Sequence, residues 1–257
     1  MAKSELAEAY EAIDGADRRL LLTCEHASLR LPPPWDWPDE DMWIVGTHWS
    51  FDLGAADITR ELAATLGVPA VLSRFSRLLA DPNREPASPT LFRAEAEGRP
   101  VALNRDLDDD ERARRLSRFY HPYHQRIDRA LGESPAAAIL SIHTFTRVYE
   151  GTPREIEIGV LFDKHPALAR RFAEELRRGG WSTALNEPYS GHEGFAYAPE
   201  RHAADHGRAA LELEIRQDLA VDPERRPGLV AALAAAIRRT YFAGAPAPAP
   251  APEKSAR

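Results

Sequence analysis

Five short apolar runs are spread along the chain, at residues 20–24, 70–73, 136–142, 156–162 and 209–215. Within these runs the apolar residues are mostly continuous, although Glu212 and Glu214 alternate with apolar residues at the end of the last run. Continuous apolarity over four to eight residues is typical of strands that are covered on both faces of a parallel sheet. The pattern therefore predicts a central sheet of at least five strands.

Between these runs, apolar residues recur every three or four positions, as they do on one face of an amphipathic helix. The recurrence predicts four helices, over about 58–66, 109–131, 168–176 and 229–241. A glycine follows each of the first three, where a left-handed residue commonly ends a helix. Strands that alternate with helices in this way predict an α/β fold with a mainly parallel sheet.

The two ends of the chain differ in composition from its middle. Residues 1–14 are charged, and the pattern at about 5–13 predicts a helical lead. Residues 244–257 are rich in alternating alanine and proline, which cannot pack a core, so we expect a disordered tail there. No boundary divides residues 15–243, and we expect a single domain with a mixed, mainly parallel sheet flanked by helices.

Composition and charge narrow the class of protein. The 257 residues are 44% hydrophobic and 28% charged, as in an ordinary globular domain. There are 40 acidic and 33 basic residues, and the net charge of −7 argues against a nucleic-acid partner. The single cysteine, Cys24, allows no internal disulfide, and no apolar run is long enough for a secretory signal or a membrane span. We therefore expect a cytoplasmic protein with no membrane segment.

Polar residues stand at the ends of three predicted strands. His26 follows the first strand, and His143 follows the third. Glu212 and Glu214 lie near the end of the last strand. Sites in open parallel sheets form outside the carboxyl ends of the strands, so these side chains are expected to converge. Two histidines and a carboxylate are typical of a catalytic zinc site, which has three protein ligands and one open position.

The third metal ligand has two candidates in the segment THWSFDLGAAD. Asp52 is a carboxylate that would complete the set, and His48 lies four residues before it. An aspartate at the start of a helix is equally typical of a residue that caps backbone amides or complements the helix dipole. The sequence alone leaves the choice between these interpretations of Asp52 open.

Two rival classes of function also remain open. One is a metal-free hydrolase in which Cys24 or Ser28 is the nucleophile and a histidine is the base. A cysteine inside a strand, however, is more often a buried small hydrophobic residue. The other rival is a binding protein that keeps the fold but catalyses nothing. Metal analysis and sensitivity to a chelator distinguish the first rival from a metal-dependent enzyme.

Eight short motifs occur in the order seen in the N-formylglutamate amidohydrolase family. They are CEHAS, THWSFDLGAA, SRLLADPNR, FYHPYHQRI, SIHTF, EIGVLFD, NEPYSG and ELEIRQDL, and they span about residues 20–219. The chain thus resembles this family. The resemblance implies a fold similar to the zinc carboxypeptidases (phosphorylase/hydrolase-like) and a zinc-dependent amidohydrolase. The family's named reaction releases formate and L-glutamate from N-formyl-L-glutamate, a late step in some histidine degradation routes.

The resemblance also implies roles for individual residues. His26, Asp52 and His143 match the metal positions of the family. Glu214 matches the catalytic glutamate, which takes a proton from water and passes it to the leaving amine. The substrate is an N-acyl amino acid, and arginine pairs with carboxylates through two hydrogen bonds. The polar positions that are expected to line its pocket are Arg84, Asn104, Arg105 and Arg216.

Two alternatives concern these assignments. Glu214 could instead be part of a structural ion pair with an arginine such as Arg105. In addition, Leu29 and Arg147 differ from the residues that are common at these positions in the family. Both positions lie near the expected pocket, so the acyl group and the amino acid of the substrate stay open.

Overall fold

The computed structural model describes residues 8–134 and 138–242. Its strands are β1 (Tyr10–Ile13), β2 (Leu20–Cys24), β3 (Ala70–Ser73), β4 (Glu95–Ala96), β5 (Arg99–Pro100), β6 (Ala138–Phe145), β7 (Val148–Tyr149), β8 (Thr152–Pro153), β9 (Ile158–Leu161), β10 (Thr183–Leu185) and β11 (Ala210–Arg216). Its α-helices are α1 (Ala55–Leu66), α2 (Asp109–Arg115), α3 (His121–Gly132), α4 (Pro166–Arg178), α5 (Tyr197–His206), α6 (Gln217–Ala220) and α7 (Arg226–Tyr241). A π-helical turn, Leu116–Tyr120, joins α2 to α3.

Seven strands form one mixed sheet in the order β1-β3-β2-β6-β11-β9-β10. The four central strands, β3, β2, β6 and β11, are parallel to one another. Strand β1 is antiparallel to β3 and β9 is antiparallel to β11, whereas β10 is parallel to β9. Two small hairpins, β4–β5 and β7–β8, lie outside this sheet. The architecture confirms the single-domain α/β class with a mixed sheet.

The sheet is buried on both faces, which explains its continuous apolar runs. On β2, Leu20 and Leu22 pack into a core cluster that includes residues of α1, α4 and α7. Leu21 lies between them and points to the opposite face, where it packs into a second cluster with residues of the π-helical turn and α3. Successive side chains of a strand point to opposite faces, so a strand between two helical layers needs apolar residues at every position.

The predicted strands are all found, with changes at their ends. Strands β2 and β3 have the predicted bounds. Strand β6 continues through Phe145, so His143 lies within the strand rather than after it. Residues 135–137, at the predicted start of that strand, lie outside the described residues. Strand β9 is antiparallel to β11, unlike the parallel pairs at the centre of the sheet. The sequence could not predict this, because continuous apolarity indicates that a strand is buried but not in which direction it runs.

Residues 8 and 9 are helical, as predicted for the lead, but the prediction is wrong at residues 10–13. Tyr10–Ile13 forms the edge strand β1, paired with β3 from Tyr10 opposite Ser73 to Ile13 opposite Ala70. The backbone of β3 would otherwise have an unpaired edge, and this tertiary pairing overrides the local helical pattern. Residues 1–7 and 243–257 lie outside the described residues, and so does the predicted disordered tail.

The four predicted helices are confirmed as α1, α4, α7 and the run of α2, π-helical turn and α3. The sequence pattern misses α5, because the buried residues of this helix are alanines, a proline and His202 rather than large apolar side chains. Strand β10 is missed as well, since it is only three residues long and half-buried. Within 8–134 and 138–242, no helix is both long and apolar enough to cross a membrane.

Candidate active site

The candidate site lies where the central parallel strands end. His26 follows β2, and His143 lies on β6 directly opposite Glu214 of β11 in the strand register. Asp52 stands in the loop before α1, and its backbone N–H donates to the carbonyl of His26 at 2.9 Å. That hydrogen bond brings the loop against the first histidine, so three separate segments of the sequence meet at one point.

Asp52 lies between the two histidine rings. Its Oδ2 is 2.9 Å from Nδ1 of His143 and 3.4 Å from Nδ1 of His26. The three side chains are 1–4% exposed and offer ligand atoms within 4.8 Å of one another. Gly54 is the N-cap of α1, and the helix has no side-chain cap. The alternative that Asp52 caps this helix, which the sequence left open, is therefore not realised. His48 lies in the cavity wall, outside this group.

The other nitrogen of each ring is held by a second carboxylate. His26 Nε2 lies 2.7 Å from Oδ1 of Asp81, and His143 Nε2 lies 2.9 Å from Oε2 of Glu25. Arg77 donates from Nη2 to Asp81 Oδ2 at 2.7 Å and so fixes that carboxylate. Both rings therefore direct Nδ1 toward Asp52. Carboxylates that hold the outer nitrogen of a ligating histidine orient the ring and raise its basicity.

Negative charge dominates the site. Burial alone would disfavour a charged His143, but the negative charge of Glu212 and the contacts with Asp52 and Glu25 hold its pKa well above the usual range. Burial likewise raises the pKa of Glu25, yet hydrogen bonding to His143 and Ser141 outweighs it and brings the value down to about 2. The pKa of Asp52 is also lowered, because the two histidines outweigh its burial.

The two glutamates of β11 differ from Glu25 and Asp52 in that their pKa values are raised. Burial raises the pKa of Glu212 to about 7 and raises that of Glu214 well above its usual range. Glu212 accepts a hydrogen bond from Asn83 Nδ2 at 3.1 Å, whereas Oε2 of Glu214 is buried without a partner among the described residues. Arg105 is exposed and 4.0 Å from Glu40, so the alternative of a Glu214–Arg105 ion pair is not realised.

These residues fit a divalent metal ion. Imidazole nitrogen and carboxylate oxygen are the ligands that zinc takes in catalytic sites, and three protein ligands leave one position open. His26, Asp52 and His143 supply that set, and the partnerless oxygen of Glu214 provides an acceptor close by. His143, Glu212 and Glu214 form a second candidate group. In that group Glu212 is already engaged by Asn83, so the first set is the better match.

A cavity of about 270 Å³ adjoins the cluster, and arginines and aromatic rings form its wall. Two of the wall arginines lie over aromatic rings: Arg84 is 5.4 Å from the ring centre of Phe195, and Arg93 is 5.1 Å from that of Trp49. Guanidinium groups stacked on aromatic faces keep their N–H donors free at the edge. Arg154 does not line the cavity but contacts two wall residues, since it lies 4.7 Å from the ring centre of Tyr149 and donates to the hydroxyl of Tyr189 at 3.3 Å. The arginines of the wall are Arg77, Arg84 and Arg93, and the large aromatic residues are Trp49, Phe145, Tyr149, Tyr189 and Phe195.

Of the four residues that the sequence assigns to the substrate pocket, Arg84 lines the cavity. Asn104 does not, and that assignment is corrected. Its side-chain amide donates to the carbonyls of Leu78 and Arg93 at 2.9 and 2.8 Å, and its Oδ1 accepts from Arg115. Asn104 thus stabilises the loop backbone by binding two of its carbonyl groups. One of these belongs to the wall residue Arg93.

Arg105 and Arg216 also lie outside the cavity wall. The side chain of Arg105 is 55% exposed. Arg216 pairs with Asp218 at 2.7 Å and donates to the backbone carbonyls of residues 154–156. Its guanidinium is used to hold the segment that carries Arg154. The structure thus places both arginines away from the cavity, because a polar motif does not reveal toward which side of a loop its side chain points.

Several residues of the site were not singled out from the sequence. Glu25 directly precedes His26. The position of an acidic residue next to a candidate metal ligand could have indicated that it belongs to the site. Asp81 opens the DPNR motif that ends in Arg84 and was equally visible. Arg77 and Arg93 lie in a long irregular segment, and nothing in its local pattern indicates which of its arginines face the cavity.

Comparison with solved structures shows a shared fold. The chain is similar to gene product Atu2144 from Agrobacterium tumefaciens, with 29% identity and a TM-score of 0.86 over 93% of this chain and 97% of that one. It is also similar to N-formylglutamate amidohydrolase from Ralstonia eutropha JMP134, with 19% identity and a TM-score of 0.67 over 91% of this chain and 98% of that one. A search of curated proteins finds no match.

The family comparison matches the catalytic region described above. The family model of N-formylglutamate amidohydrolase matches residues 18–221, which include every element from β2 to α6 and all the candidate site residues. The match confirms the resemblance seen in the motifs and supports a hydrolase that acts on amides. The chain belongs to the N-formylglutamate amidohydrolase family.

Proposed function

We propose that the protein is a zinc-dependent amidohydrolase that cleaves the amide bond of an N-formyl or other short N-acyl amino acid. N-formyl-L-glutamate, giving formate and L-glutamate, is the first substrate to test. Family membership supports the class of reaction. The observation that carries the proposal is Asp52 Oδ2, which lies 2.9 and 3.4 Å from the Nδ1 atoms of two buried histidines. The single buried cysteine suits a cytoplasmic enzyme.

In this proposal His26, Asp52 and His143 hold one zinc ion. When bound, the ion supplies Lewis-acid chemistry, polarising a carbonyl oxygen and making a water molecule more acidic. Asp81 and Glu25 keep the two imidazole rings in the orientation that directs Nδ1 inward. Arg77 holds Asp81, and it lies 3.6 Å from Asp52, so it also limits the charge repulsion between these carboxylates.

Glu214 is assigned the proton transfers. Its Oε2 is buried beside His143, faces the cavity and has no partner among the described residues. As the carboxylate it would accept a proton from the attacking water. As the acid, the form that its raised pKa favours, it would deliver that proton to the nitrogen of the leaving amine. A base must accept a hydrogen bond from the water that it activates, and an oxygen without a partner can do so without first breaking another hydrogen bond.

The arginines of the cavity wall are assigned to the substrate's carboxylates. Arg84 and Arg93 make no ion pair within the residues that the structure describes, unlike Arg77, which is paired with Asp81. A guanidinium that no protein carboxylate neutralises is available to a carboxylate of the ligand through two parallel hydrogen bonds. This supports a substrate with a free carboxylate.

The metal-free nucleophile receives little support. Cys24 is fully buried in an apolar cluster, and burial raises its pKa to about 12, so the residue is a thiol rather than a reactive thiolate. The hydroxyl of Ser28 accepts the backbone N–H of Arg30, and Ser28 is absent from the cavity wall.

The proposal is tested by removing and restoring the metal. Purified protein is treated with a chelator, dialysed and assayed for formate release from N-formyl-L-glutamate, with and without added zinc. We expect activity to vanish on chelation and to return with about one equivalent of zinc. Full activity in protein shown by elemental analysis to be free of metal would contradict the proposal. N-formyl-L-glutamate dimethyl ester serves as the control substrate, and its equal turnover would remove the carboxylate-binding role of the arginines.

A further inference from the structure

A second space adjoins the cavity beside the candidate metal site, which is here called the inner chamber. This outer chamber has a volume of about 440 Å³, larger than the 270 Å³ of the inner chamber. The two chambers share Arg84, Arg93 and Phe195 as a common wall. Small-molecule sites commonly measure about 300–1,000 Å³, so the inner chamber alone is small for such a site, whereas the two together are within the range.

The shared wall carries two cations that the protein does not neutralise. Arg84 donates to the backbone carbonyl of Asn83 at 2.8 Å and lies 5.4 Å from the ring centre of Phe195. Arg93 lies 5.1 Å from the ring centre of Trp49. Neither has an ion-pair partner within residues 8–134 and 138–242. Half-buried guanidinium groups without a carboxylate are favourable places for an anionic ligand group.

The rest of the outer chamber is polar and carries the opposite charge. The hydroxyls of Ser88 and Thr90 lie 3.1 Å apart in its wall, and both can donate or accept hydrogen bonds. Glu85 and Glu193 add two exposed carboxylates. A ligand group that lies there therefore meets two cations that also line the inner chamber and two carboxylates that line only the outer one. Both kinds of charge suit an amino-acid residue with a carboxylate and a cationic side chain.

From this arrangement, and resting on the proposed function, we infer that the preferred substrate is an N-acyl dipeptide with a basic second residue. The acylated residue occupies the inner chamber, and its acyl bond faces Glu214. The second residue occupies the outer chamber, with its terminal carboxylate at Arg84 and Arg93 and its side chain toward Glu193. Hydrolysis adds the hydroxyl of water to the acyl carbon and its proton to the amide nitrogen, which releases the free acid and a dipeptide with a free amine.

The subsite is tested by binding, which does not depend on turnover. Calorimetry compares the dipeptide Glu-Lys with free glutamate on the zinc-loaded protein. We expect the dipeptide to bind about tenfold more tightly or better, the effect of one added charge-assisted hydrogen bond. Equal affinity of the two ligands for the wild-type protein would overturn the inference.

Two variants and one control locate the second residue. Thr90→Trp places a large ring in the outer chamber and should bring the affinity ratio of Glu-Lys to glutamate close to one. Ala87→Trp introduces the same ring at an exposed position of the same loop that does not line the chamber, and it should keep the wild-type ratio. A Thr90→Trp protein that keeps the full ratio would show that the dipeptide binds elsewhere.

A charge reversal gives a second test in case Thr90→Trp folds poorly. Glu193 is exposed, so Glu193→Lys has no packing to disturb. It should weaken Glu-Lys and strengthen Glu-Glu, whereas an unchanged preference would contradict the assigned orientation. Formate release from N-formyl-Glu-Lys and N-formyl-Glu is measured in parallel. If neither substrate is cleaved, the proposed reaction fails, and the binding ratios still decide whether the outer chamber is a subsite.

Discussion

Two groups of histidines and carboxylates in this protein contain the same types of residue but differ in the role that we assign to them. Both contain an aspartate oxygen 2.7 Å from a histidine ring nitrogen, Asp81 with His26 in one and Asp128 with His202 in the other. The active-site cluster, at the end of the parallel strands, consists of Glu25, His26, Asp52, Asp81, His143, Glu212 and Glu214. The helix cluster, between α3 and α5, consists of His124, Asp128, His202 and His206.

The two clusters differ in the balance of charge around the histidines. In the helix cluster, burial and the electrostatic effect of the neighbouring His202 and Arg201 hold the pKa of His124 well below its usual range. In the active-site cluster, the surrounding carboxylates outweigh burial and hold the pKa of His143 well above its usual range. No residue of the helix cluster lines the cavity. The comparison teaches that surplus carboxylates and an adjoining cavity, rather than the presence of histidines, distinguish a site for a cation from a structural network.

The largest expected effect is that of Glu214→Gln. The variant keeps the shape of the side chain but cannot take a proton, so turnover should fall by about 10²–10⁴. Zinc content and thermal stability should stay close to wild type. These are checked by steady-state kinetics, elemental analysis and thermal unfolding. Near-native turnover would remove Glu214 from the mechanism, and loss of zinc would make it a ligand.

A matched pair of substitutions, Asp81→Asn and Asp128→Asn, sharpens the comparison. Each replaces a carboxylate that lies 2.7 Å from a histidine nitrogen. Asp81→Asn should weaken zinc binding about 10- to 100-fold, because the partner of a ligating histidine sets its orientation and basicity. Asp128→Asn should leave zinc affinity unchanged. Competition with a chromophoric chelator measures both, and equal weakening by the two substitutions would contradict the distinction between the clusters.

The elements that the sequence predicts well are those whose own pattern reports burial. Strands β2 and β3 are recognised to the residue because every position is buried and all but Thr23 and Ser73 are apolar. Strand β1 and helix α5 are not, since one depends on pairing with β3 and the other buries small or polar residues. A local pattern of apolar and polar residues contains little information about long-range pairing of this kind.

The same distinction applies to the site. His26, His143 and Glu214 were predicted because strand ends converge wherever parallel strands are neighbours. Asp52 was left with two interpretations, which its contacts with both histidines now separate. Arg93 could not be predicted because the path of its loop decides which side chains face the cavity. The same uncertainty explains why Arg105 and Arg216, which the sequence assigned to the substrate pocket, do not line the cavity.

Removing the central histidine of the helix cluster should affect stability and not metal binding. His202 is fully buried and lies within hydrogen-bond distance of both His124 and Asp128. His202→Ala leaves buried polar groups without partners, so the free energy of unfolding should fall by about 1–3 kcal/mol. Urea denaturation measures the change, and the partly exposed His206 provides the control in His206→Ala, for which a smaller loss is expected. An unchanged midpoint for His202→Ala would show that the network adds no stability.

The smallest expected effect is a pH dependence of stability from His124. The pKa of His124 is lower in the folded protein than in the unfolded chain. Above about pH 6.5, His124 is neutral in both states. Below about pH 6.5, the unfolded chain binds a proton at this residue before the folded protein does. The free energy of unfolding therefore decreases as the pH falls from about 6.5, by at most about 1.4 kcal/mol per pH unit. His124→Asn removes this titration. The stability difference between wild type and variant should shrink from pH 7 to pH 5, and a constant difference would contradict the neutral state of His124.

The central claim, that one cluster binds a metal ion and the other does not, is tested most directly by zinc stoichiometry. Wild-type protein, His143→Ala and His124→Ala are each loaded with zinc, passed over a desalting column and analysed for metal per chain. We expect about one equivalent in the wild type and in His124→Ala, and a small fraction of that in a folded His143→Ala. A His143→Ala protein that retains a full equivalent of tightly bound zinc would contradict the account.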